Sequence, residues 1–182
     1  MPAPTLTASL RQFLLAHVPF AQMVRADLDE LIAHIEVAYF GPGEVVLAAA
    51  SGVPEYAVII KQGRVQGRTL GVHGGQAVLE LGAGESFALG ALLAQRPANL
   101  EYVSLADTFC LLLPRRHFEA LTRRSEVFLN FCRDSLGQLL DLSHQQGIGL
   151  FRTVEYAHIQ HFHIDIHQRR GAHSFCKRAA LG

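Results

Sequence analysis

Between Val37 and Leu113 the chain is a string of short runs rich in β-branched, aromatic and leucine residues: VAYF, EVVLAA, YAVIIKQGRVQGRTL, QAVLEL and LEYVSLADTFCLLLP. Glycine turns cut them apart, at GPGE, KQGR, VHGGQ and LGAGES. Runs this short need neighbours on both edges to be stable, so many of them in a row predict a closed or sandwiched antiparallel barrel. On both flanks the pattern changes to a helical one. Before the strands, Leu10, Phe13, Leu14, Val18, Leu28, Leu31, Ile32 and Ile35 recur at helical spacing, with Pro19 interrupting them, which predicts two or three short helices. After Pro114, the stretch RRHFEALTRRSEVFLNFCRDSLGQLLDLSHQQ gathers Phe118, Leu121, Phe128, Phe131, Cys132, Leu136, Leu139, Leu140 and Leu142 on one side. Gly137 within it costs about 1 kcal/mol against alanine, so a bend or break is expected there.

Composition narrows the function classes. Lys plus Arg and Asp plus Glu both number 16, leaving no net field to draw nucleic acid or an acidic membrane. No apolar run approaches the ~20 residues of a membrane helix. The start, MPAPTLTASLRQFLLAHVPF, lacks the basic opening and small-residue cleavage site of a signal peptide. Cys110, Cys132 and Cys176 are odd in number and far apart, which argues against a disulfide scaffold or zinc cluster and for a reducing cytoplasm. At 182 residues the chain suits one domain with attached helices. It carries no Gly-x-Ser-x-Gly, Walker-type Gly-Lys-Ser, His-Glu-x-x-His or Rossmann glycine pattern, so no enzymatic activity is expected. His17, His34, His73, His117 and His144 are scattered and read as surface or satisfied core residues.

The segments LRQFLLAHVPFAQMVRADLDELI, YFGPGEVVL, YAVIIKQGRV, GESFALGALL and TFCLLLPRRHFEAL, in this order and spacing, resemble the cyclic-nucleotide-binding domain family over roughly Leu10 to Leu142. The resemblance implies a mainly β fold, a jelly-roll-like antiparallel β-roll with N-terminal helices and a C-terminal helix pair. The expected division is an N-terminal helical segment at 1–36, a β-roll sensor domain at 37–114, C-terminal helices at 115–147 and a His-rich tail at 148–182, disordered or a strand. It also implies a phosphate-binding cassette in GAGESFALGALLAQRPANLEYVSLAD, with Gly82, Gly84, Glu85, Ser86, Phe87, Leu89, Gly90, Ala91, Leu92, Arg96, Asn99 and Leu100 as the ligand-facing candidates. A helical turn at about Leu89 to Leu93 would offer its N–H groups to an anion. Binding members of the family have a Glu in that turn for the ribose hydroxyl and an Arg about ten residues on for the cyclic phosphate. Aligned on GESFALGALL, those positions hold Leu89 and Asn99, with Leu100 where a small hydroxyl residue is usual. A charged donor to phosphate is about twice as strong as a neutral one, so Asn99 does not replace an Arg. Arg96 would reach the site only if the loop shifted, against the stiffness of Pro97. Leu89, Leu92, Leu93 and Leu100 are expected either to fill a collapsed pocket or to line one for a less charged ligand.

The run ALGALLAQRPANLEYVSLADTFCLLLPRRHFEALTRRSEVFLNFC is similar to the sensor domain that precedes CBS domains and a nucleotidyltransferase in bacterial signalling proteins. That implies such partners C-terminal to a longer protein, of which this chain is a fragment, unless it is a stand-alone module. The expected ligand is cAMP or another nucleotide-like molecule, held weakly or not at all. The alternative is a ligand-free module that forms a homodimer through the helix Ser125 to His144. In the tail, His161, His163 and His167 alternate with apolar residues and share one face if extended, together with Asp165, which suits zinc. An amphipathic strand or a chance excess of histidine is the competing reading.

Overall fold

The runs YAVII and FCLLLP are continuously apolar, as strands covered on both faces must be. Both sit inside a sheet. The computed structural model describes residues 4–49, 51–69 and 77–145. Eight strands are assigned among them: β1 (Glu36–Phe40), β2 (Val45–Leu47), β3 (Tyr56–Gln62), β4 (Val65–Thr69), β5 (Ala77–Leu81), β6 (Ser86–Phe87), β7 (Leu100–Ser104) and β8 (Thr108–Pro114). They form two four-stranded antiparallel sheets, ordered β1-β8-β3-β6 and β2-β7-β4-β5. Apart from β4 and β5, consecutive strands lie in different sheets, so the chain crosses the roll at almost every turn. This is the expected antiparallel β-roll with flanking helices.

Register separates the two faces of the first sheet. Val58 pairs with Leu112 and Phe87, and Ile60 with Cys110, on the face toward the other sheet. Ala57 pairs with Leu113, and Ile59 with Leu111, on the opposite face. That outer face is roofed by helices α1 (Pro4–Leu15), α2 (Arg25–His34), α4 (Arg115–Arg124) and α5 (Glu126–Gln145), with a 3-10 turn at Phe20–Gln22. Leu10, Leu14, Phe20, Leu28, Leu31 and Ile32 from the N-terminal side meet Phe118, Leu121, Phe128 and Cys132 from the C-terminal side in one cluster. Phe118 and Phe128 are edge to face at 5.7 Å. Full burial of each such side chain is worth about 1.5–3 kcal/mol, and here both ends of the chain contribute. Two ion pairs clasp the helices: Arg124 Nε donates to Asp27 Oδ1 at 2.6 Å, and Arg11 pairs with Asp29.

The C-terminal helices break at Ser125, not at Gly137. Ser125 is extended (φ −101°, ψ 106°), its hydroxyl accepts from Phe128 N–H at 3.4 Å and its carbonyl from Leu129 N–H at 3.0 Å. It therefore caps the start of α5, which runs unbroken through Gly137 for 20 residues. A single glycine costs too little to stop so long a helix. Phe128 and Cys132, expected on the apolar side of the C-terminal helices, are fully covered within the chain. Among the described residues no helix is long and apolar enough to cross a membrane. The core and the candidate site lie within the unit Met1–Leu142.

Candidate functional site

The cassette begins where β6 leaves β3. Gly84 N–H donates to Ile60 O at 2.8 Å and Ile60 N–H to Glu85 O at 2.9 Å, so the turn is sewn to β3 from both sides. Glu85 closes it: its N–H donates to Gly82 O at 3.1 Å, and its Oε2 accepts from Gly82 N–H at 2.6 Å. The carboxylate thus shapes the turn. Gly84 sits at φ +88°, and a Cβ there would lie 2.0 Å from the His17 ring. His17 is held by its own Nδ1–H, donating to Phe13 O at 2.8 Å, so the end of α1 rests directly on the cassette. Ser86 Oγ is buried and finds no hydrogen-bond partner among the described residues.

Next comes α3 (Leu89–Leu93), entered through Ala88 at φ +68°. Leu89 and Leu92 are buried, and both point into the helical core rather than into a ligand space. The short helix lies against the roof, and its apolar side chains join the core there. Half-buried Gly90 faces α5, since a Cβ on it would come within 2.7 Å of Leu136 Cδ1. Ala91 is half-buried and its carbonyl accepts from Arg96 N–H at 3.0 Å. Gln95 Nε2 donates to Leu92 O at 3.1 Å and to Glu119 Oε1 of α4 at 2.8 Å. The cassette is therefore tied to α4 by a hydrogen bond and to α5 by close packing.

At the far end, Asn99 is exposed while its neighbours Ala98 and Leu100 are buried, so the inward positions there carry no charge. Arg96 is half-buried. Inside the roll, below the cassette, Phe87 stacks on Tyr102 with ring centroids 4.2 Å apart and planes at 16°, joining the two sheets. Gly67 makes room for this: a Cβ would stand 3.0 Å from Leu79 and 3.3 Å from the Tyr102 ring. Burial raises the Tyr102 phenol well above its ordinary pKa, and pushes the Cys110 and Cys132 thiols up to about 12, leaving both inert.

Sequence reading scattered the histidines, yet two of them meet. The rings of His34 on α2 and His117 on α4 stack at 3.6 Å, with Glu30 Oε1 at 3.5 Å from His34 Nδ1 and 4.0 Å from His117 Nδ1. Burial, then the neighbouring His34 and Arg116, lower the His117 pKa, with Glu30 opposing. The i, i+4 spacing of Glu30 and His34 was visible in the sequence; the partner 83 residues later than His34 was not. His161, His163 and His167 lie outside the described residues.

Residues 37–125 match the family model of the cyclic nucleotide-binding domain. No curated protein matches the sequence. Similar solved structures include the regulatory domain of Toxoplasma gondii protein kinase A with cAMP (19% identity, 66% of this chain, 46% of that one, TM-score 0.60). Another is the regulatory subunit of a cAMP-independent protein kinase A from Trypanosoma brucei (21%, 71% and 47%, TM-score 0.64). A third is the sensor domain of the transcriptional regulator DNR from Pseudomonas aeruginosa (14%, 78% and 93%, TM-score 0.63). The chain spans about half the length of the two kinase regulatory structures. At these identities the likeness is one of fold.

Proposed function

We propose, from the match of residues 37–125 to the cyclic nucleotide-binding domain model, that the chain is the regulatory sensor part of a cytoplasmic bacterial signalling protein, non-catalytic, with a reduced cassette that holds cAMP and cGMP weakly or not at all. The observation that carries the reading is the double tie from cassette to C-terminal helices, Gln95 to Glu119 and Gly90 against Leu136. An occupant that moves α3 changes the contacts of α4 and α5 directly, and differential contact of this kind is what a ligand-driven shift requires. The weak-affinity half rests on Leu89 being turned into the helical core and on Asn99 standing outward between Ala98 and Leu100. A cyclic phosphate buried without a cation would lose several kcal/mol of solvation. Similar folds include one described with cAMP and one described as cAMP-independent, so the fold is compatible with either state. Calorimetry of the full chain with cAMP and cGMP is expected to give no binding at micromolar concentrations; micromolar affinity for either nucleotide overturns the reading. Arg96→Ala should then abolish that affinity.

A second reading, a ligand-free interaction module, is favoured by the Phe87–Tyr102 stack, which occupies the roll interior below the cassette. Its homodimer contact would lie on the later turns of α5, since Phe128 and Cys132 are covered internally. In a longer protein, α5 would lead toward CBS or nucleotidyltransferase domains. Leu139→Glu should split such a dimer without unfolding the roll; a wild-type monomer by sedimentation at tens of micromolar, or a dimer indifferent to the substitution, rejects it.

A further inference from the structure

We propose that Glu30, His34 and His117 form a site for a divalent transition metal of the zinc class, bridging α2 and α4. Glu30 and His34 are one helical turn apart and therefore share a face of α2, and His117 comes to that face from the first turn of α4. One ligand atom from each residue lies within 4.8 Å of the others. A tetrahedral zinc with bonds of about 2.0–2.2 Å places its ligands roughly 3.3–3.6 Å apart. The Glu30 Oε1 distances of 3.5 Å to His34 Nδ1 and 4.0 Å to His117 Nδ1 are close to that edge length before any ion has drawn them in. Two imidazoles and one carboxylate make a mixed nitrogen and oxygen donor set, which selects zinc, cobalt or nickel over magnesium or calcium, both of which favour oxygen ligands. The side chains are 43%, 34% and 18% exposed for Glu30, His34 and His117, so an ion has a route in and water can complete the coordination.

Binding requires specific exchanges. His34 Nδ1–H now donates to Glu30 O at 2.9 Å, and that proton must move to Nε2 so that Nδ1 can face the metal. The Nε2 of His117 accepts from Arg116 Nε at 3.0 Å, and the exposed Arg116 side chain must turn away when that nitrogen becomes protonated instead. The stacked rings must also splay so that their lone pairs converge. Each change involves groups open to solvent. His117 and Glu119 are two residues apart, about 200° around α4, so the helix faces the metal site on one side and Gln95 of the cassette on the other. A bound ion would pin the helix that the cassette holds.

The test is a zinc and cobalt(II) titration of the full chain, read by thermal unfolding and by the visible bands of coordinated cobalt. The comparison is with His34→Ala/His117→Ala and with the tail variant His161→Ala/His163→Ala/His167→Ala. The expected result is a zinc-dependent rise in Tm and cobalt bands in the wild type and the tail variant, both weakened at least about tenfold in the double variant. Glu30→Gln, which keeps the shape of the site, should weaken both and serves if the double variant fails to fold. Zinc and cobalt responses equal to wild type in the site variants, or lost only in the tail variant, overturn the proposal.

Discussion

Gly84→Ala isolates the contact between the end of α1 and the cassette. At φ +88° an alanine pays about 1 kcal/mol or slightly more in backbone strain. The new methyl would stand 2.0 Å from His17 Cδ2 and 2.5 Å from Nε2, so the imidazole has to leave. Its departure breaks the 2.8 Å bond to Phe13 O, worth about 0.5–1.5 kcal/mol. It also ends the ring contact with Phe13 at 4.6 Å. The total is about 2–3 kcal/mol. With a urea slope of about 1–3 kcal/mol/M, the unfolding midpoint should fall by roughly 1–2 M. In a His17→Ala background the three atoms nearest the methyl are gone, and the same substitution should cost mainly the backbone part, leaving a coupling of about 1 kcal/mol or more. A cost below about 0.5 kcal/mol, or additive effects in the double variant, would refute the reasoning.

Gly137→Ala should stabilise the protein by about 0.5–1 kcal/mol, read as a rise in Tm, because the glycine is helical and a Cβ there meets nothing within 4 Å. Arg124→Ala removes the guanidinium from buried Asp27; since the Arg124 side chain is 49% exposed, the expected loss in chemical denaturation is about 1–2 kcal/mol rather than the larger penalty of a fully buried pair. The fold lowers the His117 pKa, so below about pH 6.5 the unfolded chain binds the proton more readily than the native one. Stability should hold above that pH and decline as pH falls beneath it; His117→Gln should flatten the decline measured by denaturation at pH 5 to 7.

The roll was legible because its strands carry their burial in their spelling: YAVII and CLLL are apolar without alternation, and only strands packed on both faces tolerate that. The glycine turns supplied the punctuation. What could not be read was direction. Leu89 and Leu92 are equally apolar whether they face a ligand or a helical roof, and the choice is made by where α1, α2, α4 and α5 lie. The break at Ser125 had a weak local signal, a serine followed at once by an acidic residue, outweighed by the more conspicuous Gly137. The stack of His34 on His117 had no local signal, since the two rings come from helices on opposite sides of the roll in chain order.

That shared roof sets a timetable for synthesis. The apolar faces of α1 and α2 leave the ribosome first, but Phe118, Leu121 and Phe128, which cover them, are made about a hundred residues later. At about 5–20 residues per second the interval is roughly 5–20 s, during which Leu10, Leu14, Phe20 and Leu31 lack the C-terminal half of their cover. A nascent chain stalled just after Pro114 should therefore be protease-sensitive and bound by chaperones throughout its N-terminal helices, whereas one stalled well beyond the end of α5 should be protected; equal protection at both points would show that the roof closes without its C-terminal half.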